Sequence, residues 1–228
     1  LEFRRVLFRS VNLVLDDQVK KVESLAAVDA FRRAAAAGSL SFDEEQALNQ
    51  QIHAMLEGLG DNYQGIFLGR NDGILFAGTL ANGEAPYKGL DINDRDYFQK
   101  TRTNARTTFS DALRSKIDQK PVILAAAPLR SDSGQPVGII GLTLKIDFLI
   151  DTISKKKIGT TGYAYMANGN GIIVAHPKAE YVLELDLKTL QGMEGITQHM
   201  MKGDTGFEDY TFKGVDKIAA FAPVPIAG

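Results

Sequence analysis

The feature that most constrains this chain is a hairpin that occurs twice. "GIFLGRNDGILFAG" runs from Gly65 to Gly78, and "GTTGYAYMANGNGIIVAHP" from Gly159 to Pro177. Aligned without gaps, Ile66-Phe67-Leu68 falls on Ala164-Tyr165-Met166, Gly73 on Gly171, Ile74-Leu75 on Ile172-Ile173 and Ala77 on Ala175, an interval of 98 residues. Further along, "VILAAAPL" (122–129) falls on "KIAAFAPV" (217–224) at an interval of 95, with Ile123 on Ile218, Ala125 on Ala220 and Pro128 on Pro223. Two strand pairs that recur in the same order at nearly the same interval mark tandem modules of one fold. In the first module "VILAAAPL" is followed by a further strand, "VGIIGLTLKI", whereas the chain ends at Gly228 just after the second copy. The second module is therefore expected to lack its last strand, and the chain to be a fragment cut inside a sheet.

Ahead of the first hairpin the apolar period is helical. Val11, Leu15, Val19, Val22 and Leu25 recur at three- and four-residue spacing, which predicts an amphipathic helix from Val11 to about Ala37, broken by Gly38 and Ser39. Ser41 and Glu44 form an S-x-x-E capping box for a second helix with the stripe Leu48, Ile52, Met55 and Leu59, ended by Gly58 and Gly60. The period then changes to that of strands: a hairpin turning at "ND", a helix around "NDRDYFQKTR", and strands around "TTFSDA", "PVILAAAPLR" and "VGIIGLTLKI", the last two joined by the turn "SDSGQP". This order predicts an α+β chain with antiparallel sheets flanked by helices.

Composition excludes several classes of function. The net charge of -2 offers no basic field for nucleic acid, and the absence of cysteine removes disulfides, thiolate chemistry and Cys-based zinc sites. No apolar run approaches the ~20 residues that span a bilayer. The opening "LEFRRVLFRS" matches neither the following pattern nor a signal peptide; it reads as a cloning or assembly scar, or as a basic flank beside a lost membrane helix.

The two modules, the long N-terminal helix, "DINDRDYFQK", "GIIGLTLKIDFL" and "KIGTTGYAYMANGNGIIVAHP" together resemble the double Cache sensor domains of bacterial transmembrane receptors, above all methyl-accepting chemotaxis proteins. The resemblance runs from Val11 to Gly228. It implies two PAS-like modules, membrane-distal over 61–155 and membrane-proximal, truncated, over 156–228, after a scar at 1–10 and a helical segment at 11–60. It also implies an extracytoplasmic location on the inner membrane, flanking membrane helices outside this sequence, a homodimer through the N-terminal helix, a small-molecule ligand and no cofactor.

The same resemblance places the ligand pocket in the first module. Arg95 matches the family arginine that grips a ligand carboxylate, a task that suits a planar guanidinium fork. Tyr97 and Phe98 match the paired aromatic positions of the pocket wall. The alternative for Arg95 is a surface pairing with Asp94, Asp96 or Asp111. Two departures bear on the ligand: "SDALRS" places Leu113 where amino-acid-binding members carry a tyrosine, and "GIIGLT" places Thr143 where they carry an aspartate for the ligand ammonium. Threonine cannot offset a buried ammonium. The implied ligand is a small carboxylate without an essential amine, with an amino acid held by Asp111 as the alternative.

Other residues invite plainer readings. Gly73, Gly169 and Gly171 suit turns that need positive φ, and "GNG" is no phosphate loop because no Lys-Ser/Thr follows. His53, His176 and His199 show no metal-ligand spacing and no carboxylate partner pattern, so no metal is expected. His176 before Pro177 reads as a structural hydrogen-bonding residue, and Lys155–Lys157 as a solvated linker or a membrane-facing run. Catalysis lacks a visible nucleophile–base pair or cofactor motif, and returns only if His176 has a buried carboxylate partner. Within the sensor class the same domain would also serve a histidine kinase or a diguanylate cyclase; a free periplasmic binding protein is the other class.

Overall fold

In a computed structural model the chain is described over residues 2–154, 158 and 161–224. The Lys155–Lys157 run lies outside these residues. The N-terminal stripe forms two helices rather than one, α1 (Glu2–Ala26) and α2 (Asp29–Ala36), because Val28 takes an extended conformation between them. Residues set aside at the start belong to α1, which begins at Glu2. Val11, Leu15, Val22 and Leu25 are buried as the period predicts, but Val19 is half-buried and its neighbour Gln18 takes the covered place. There the Tyr63 hydroxyl donates to Gln18 Oε1 at 2.6 Å, and Lys21 Nζ donates to the same hydroxyl at 3.0 Å.

Helix α3 (Phe42–Leu59) starts with the expected capping box: Ser41 Oγ accepts from the Glu44 amide and Glu44 Oε2 accepts from the Ser41 amide at 2.8 Å. Its core stripe is Leu48, Ile52 and Leu56, spaced four apart, so Met55 and Leu59 are displaced to the half-buried flanks, and Gly60 rather than Gly58 caps the end.

The first module then builds one antiparallel sheet from β1 (Tyr63–Arg70), β2 (Leu75–Leu80), β3 (Thr108–Phe109), β4 (Leu113–Arg114), β5 (Pro121–Arg130) and β6 (Pro136–Lys145), with α4 (Asp96–Asn104) between β2 and β3. The order is β2-β1-β6-β5-β3, and β4 also pairs with β5. Helices α2 and α3 pack on strands of this sheet, as does α4. Both faces are therefore covered, and this is why β5 and β6 read as continuous apolar runs rather than alternating ones.

The second module comprises α5 (Ile146–Ser154), β7 (Met166–Ala167), β8 (Ile173–Ala175), α6 (Glu194–Met201), β9 (Gly206–Phe212) and β10 (Val215–Phe221). Among the described residues β7–β8 and β9–β10 form separate two-stranded ladders. In the first module β6 joins β1 to β5, whereas β7 and β10, the counterparts of β1 and β5, have no such strand between them among the described residues. The chain divides into two compact units: Asp16–Lys145 forms the body of one, and α1 up to Leu15 belongs to the other with the chain from Ile146. That division falls ahead of the 155/156 boundary read from the sequence and assigns α5 to the second module.

Phe67 of β1 lies between Gly78 of β2 and Gly141 of β6, its cross-strand partners. A Cβ at Gly141 would meet Phe67 ring carbons at 2.1 to 2.6 Å, whereas one at Gly58 in α3 meets nothing within 4 Å. Urea denaturation should therefore show Gly141→Ala destabilised by about 1–3 kcal/mol through overpacking. Gly58→Ala should be stabilised by roughly 0.5–1 kcal/mol through helix propensity.

Candidate functional site

The site of the first module is set by the segment between β2 and α4. The Leu75 amide donates to the Leu90 carbonyl at 2.9 Å and the Ile92 amide to the Gly73 carbonyl at 2.9 Å, so the Leu90–Ile92 backbone is tied to the start of the second hairpin strand. Gly73 reaches this geometry at φ +81°, and Gly171 repeats it at +82°; Gly169 has no positive φ, which corrects the reading of all three glycines as left-handed turns. Asp91 Oδ1 then accepts from the Asn93 amide at 2.7 Å, and the Arg95 amide donates to the Ile92 carbonyl at 3.0 Å. This succession leaves Arg95 as the N-cap of α4, in extended conformation.

The Arg95 side chain is 21% exposed, with Nη2 donating to the Arg114 carbonyl at 3.3 Å and Nε 3.9 Å from the Asp94 carboxylate. Asp94 is engaged more closely by Lys116 Nζ at 2.6 Å, and this hydrogen bond holds its carboxyl below the usual range. Asp96 pairs with Lys100 at 3.1 Å and caps the Tyr97 amide. The acids weighed as surface partners at 94 and 96 thus each have a lysine of their own.

Behind Arg95, Tyr97 and Phe98 lie buried in the first turn of α4, packed with Phe67, Tyr87, Val122, Leu124 and Ile139. The Tyr97 ring is 6.4 Å from that of Phe67, and the Arg102 guanidinium lies 5.4 Å from the Phe98 ring centroid. Burial pushes the Tyr97 hydroxyl far up in pKa, opposed by the charge of Arg95. Thr143 is buried on β6, opposite Gly65 of β1 and Leu124 of β5. Asp111 is exposed in the connection between β3 and β4, and Leu113 is half-buried against the same core cluster.

The structure adds residues that the sequence reading missed. Tyr87 is 4% exposed, its ring 5.6 Å from that of Phe67. It fits there because Gly65 and Gly78 have no Cβ: one at Gly65 would come within 2.3 Å of the Tyr87 hydroxyl and one at Gly78 within 2.8 Å of its ring. Burial drives the Tyr87 pKa up, against a smaller opposing pull from Thr143 and with a further upward push from Asp118. The hydroxyl, like Thr79 Oγ1 and Gln64 Oε1, is buried without a hydrogen-bond partner among the described residues, while Gln64 Nε2 donates to Asp118 at 2.9 Å. A tyrosine in the loop "GEAPYKGL" gave only a weak signal, and a glutamine within an apolar strand was the better one. The first module thus places one guanidinium at the N-cap of α4, next in sequence to an aromatic cluster that holds the buried Tyr97 and Tyr87 hydroxyls.

Two histidines have carboxylate neighbours, contrary to the expected lack of them: His199 lies 2.8 Å from Asp204 and 3.9 Å from Glu208, and His53 lies 3.7 Å from Glu57. His176 Nδ1 accepts from the Lys178 amide at 2.8 Å, the structural role expected of it, and no described carboxylate pairs with it.

Family comparison agrees with this architecture. The dCache_1 model of the Cache domain matches residues 2–228, and the chain belongs to that family. It is 26% identical over 166 residues to the methyl-accepting chemotaxis protein PctB of Pseudomonas aeruginosa, covering 73% of this chain and 25% of that receptor's length. In fold it is similar to the solved ligand-binding domain of PctB in complex with L-Arg, with a TM-score of 0.70 and 23% identity over 98% of this chain and 87% of that one. It is also similar to the ligand-binding domain of the P. aeruginosa chemoreceptor PctC in complex with GABA, with a TM-score of 0.62 and 19% identity over 82% of this chain and 78% of that one.

Because the Tyr87 hydroxyl is buried with no hydrogen bond of full geometry and only a weak pull from Thr143, Tyr87→Phe removes a desolvation penalty that outweighs that contact. In the absence of ligand its unfolding free energy should rise by about 1 kcal/mol or stay unchanged. A loss above that size in urea denaturation would show that the hydroxyl is bonded in the free protein.

Proposed function

We propose that this chain is the extracytoplasmic ligand-binding part of a transmembrane chemoreceptor, and that its first module binds a small carboxylate at Arg95. The observation that carries this reading is the placement of a mostly covered guanidinium at the N-terminus of α4, where its charge acts on the buried Tyr97 hydroxyl. Such a fork offers paired N–H donors to a carboxylate, and the positive end of the helix adds to the attraction. The family membership and the relatives named above support a sensor rather than a catalyst.

Thr143 supplies a hydroxyl and no charge, so an ammonium beside it would be left unpaired. A second reading, an amino acid, is favoured by Asp118, whose charge acts on Tyr87, and keeps Asp111 as a further candidate partner. In the signalling step, the ligand would favour one of two arrangements of α1, whose residues from Asp16 onward belong to the first module's unit and whose residues up to Leu15 belong to the other. Self-association through α1 would use its exposed face, where Leu13 is 58% exposed.

Calorimetric titration with matched pairs of an acid and its amino analogue, propionate with alanine and 4-methylpentanoate with leucine, tests this reading. Arg95→Ala should weaken every bound acid by roughly 10- to 100-fold, the loss expected for charge-assisted hydrogen bonds. Asp118→Asn should weaken only the amino acids. Binding that survives Arg95→Ala unchanged would remove the guanidinium from the site.

A further inference from the structure

The second module contains a cavity of its own, with about 280 Å³ of empty space including its opening to solvent. Its aromatic wall is formed by Tyr163, Tyr165, His176, Tyr181, Tyr210 and Phe212, and every other lining residue is an aliphatic or methionine side chain. The hydrogen bonds that build the first site recur beneath it. The Ile173 amide donates to the Leu185 carbonyl at 3.0 Å, the Leu187 amide to the Gly171 carbonyl at 2.9 Å, and the Leu190 amide to the Leu187 carbonyl at 3.2 Å. Ile172 bridges Asp186 as Ile74 bridges Asp91.

This register equates Leu75 with Ile173, Ile92 with Leu187 and Arg95 with Leu190, while the hairpin alignment equates Phe67 with Tyr165 and Gly78 with His176. Tyr165, Ile173, His176, Leu187 and Leu190 all line the cavity. The position that carries the guanidinium in the first module carries leucine here, and the position cleared of a side chain carries an imidazole.

His176 is 5% exposed, and its Nδ1 accepts from the Lys178 amide, which puts the proton of the neutral ring on Nε2. Burial pulls its pKa below the usual value, which keeps the ring neutral. Nε2 has no hydrogen-bond partner among the described residues. The ammonium groups of Lys178 and Lys213 lie 5.5 and 5.4 Å from the Tyr181 ring, and that of Lys217 lies 5.2 Å from Tyr163. These cations already occupy ring faces that would otherwise draw a cationic guest.

We propose that this cavity is a second binding site, separate from the Arg95 site, for a small uncharged molecule with an apolar body and one acceptor for the His176 Nε2–H. No lining residue is charged, and the three lysines already sit against the Tyr163 and Tyr181 rings, so a carboxylate seated among the lining residues would lack a direct ion-pair partner, which is costly.

The test uses three isosteres that differ in charge, acetophenone, benzoate and phenyltrimethylammonium, titrated into the 228-residue chain by saturation-transfer NMR. Acetophenone should bind at least about tenfold more tightly than either ion. His176→Phe, which keeps the ring and removes the donor, should weaken it about three- to tenfold. Leu190→Trp should fill the cavity and abolish binding, Leu190→Arg should shift preference to benzoate, and thermal melts check that each variant folds. Arg95→Ala should leave acetophenone binding unchanged, which separates this site from that of the first module. Absence of acetophenone binding, tighter binding of the cation, no effect of His176→Phe, or loss of binding in Arg95→Ala would each overturn the proposal.

Discussion

The Ile92 amide donates to the Gly73 carbonyl, and the Leu187 amide to that of Gly171, at the same 2.9 Å. On this pair of backbone bonds the placement of everything downstream depends. Each is possible because the glycine before it takes a left-handed φ and turns the hairpin strand so that its carbonyl faces the returning loop. The loop, once tied, delivers the residue three positions after the donor to one place against the sheet. In the first module that residue is Arg95, and in the second Leu190. Backbone hydrogen bonds of this kind depend little on side-chain identity, so the scaffold is held while the side chain at its end is free to differ.

A second constraint acts through what is missing from the sheet. Phe67 has glycine on both neighbouring strands, Gly78 and Gly141, and Tyr87 lies against Gly78 again and against one more position without a Cβ, Gly65. Large aromatic rings on a sheet face need either an adjacent layer with gaps or partners reduced to backbone, and here the gaps are made by glycine. The consequence is a polar set, Tyr87, Thr143 and Gln64, that sits within an otherwise apolar face. Two of its oxygens, on Tyr87 and Gln64, are buried without a hydrogen bond of full geometry among the described residues, an arrangement that is expensive for an unliganded core and reasonable for a surface that a ligand completes.

The repeat was legible in the sequence because glycines at 73 and 171 and the apolar strand residues survive in both modules, and the capping box of α3 was legible because Ser41 and Glu44 carry the whole interaction locally. The break between α1 and α2 was not, since Ala27 and Val28 contain neither glycine nor proline and the apolar period runs through them. Arg95, Tyr97, Phe98 and Thr143 came from the family resemblance; Tyr97 and Phe98 lie in one buried cluster, Arg95 is the N-cap just before them, Thr143 is buried on β6 and Asp111 is exposed between β3 and β4. Tyr87 was missed because its partners come from separate strands. The second cavity was invisible because the hairpin alignment ends before Leu190, and only the recurrence of hydrogen bonds extends the register that far.

This extended register bears on how a duplicated sensor module diverges. A carboxylate that enters a largely dry site needs a fixed cation, because the cost of burying an ion unpaired is several kcal/mol and exceeds what a few apolar contacts return. If Arg95 holds a carboxylate as proposed, leucine at the one tied position would remove that whole class from the second site and leave neutral groups, the His176 imidazole and the tyrosine hydroxyls, as its polar features. A ligand shifts a two-state protein only by its difference in affinity for the two states. Two modules built on one backbone lock, with opposite polarity at the same position, would accordingly answer to different molecules, and occupancy of one would not saturate the response to the other.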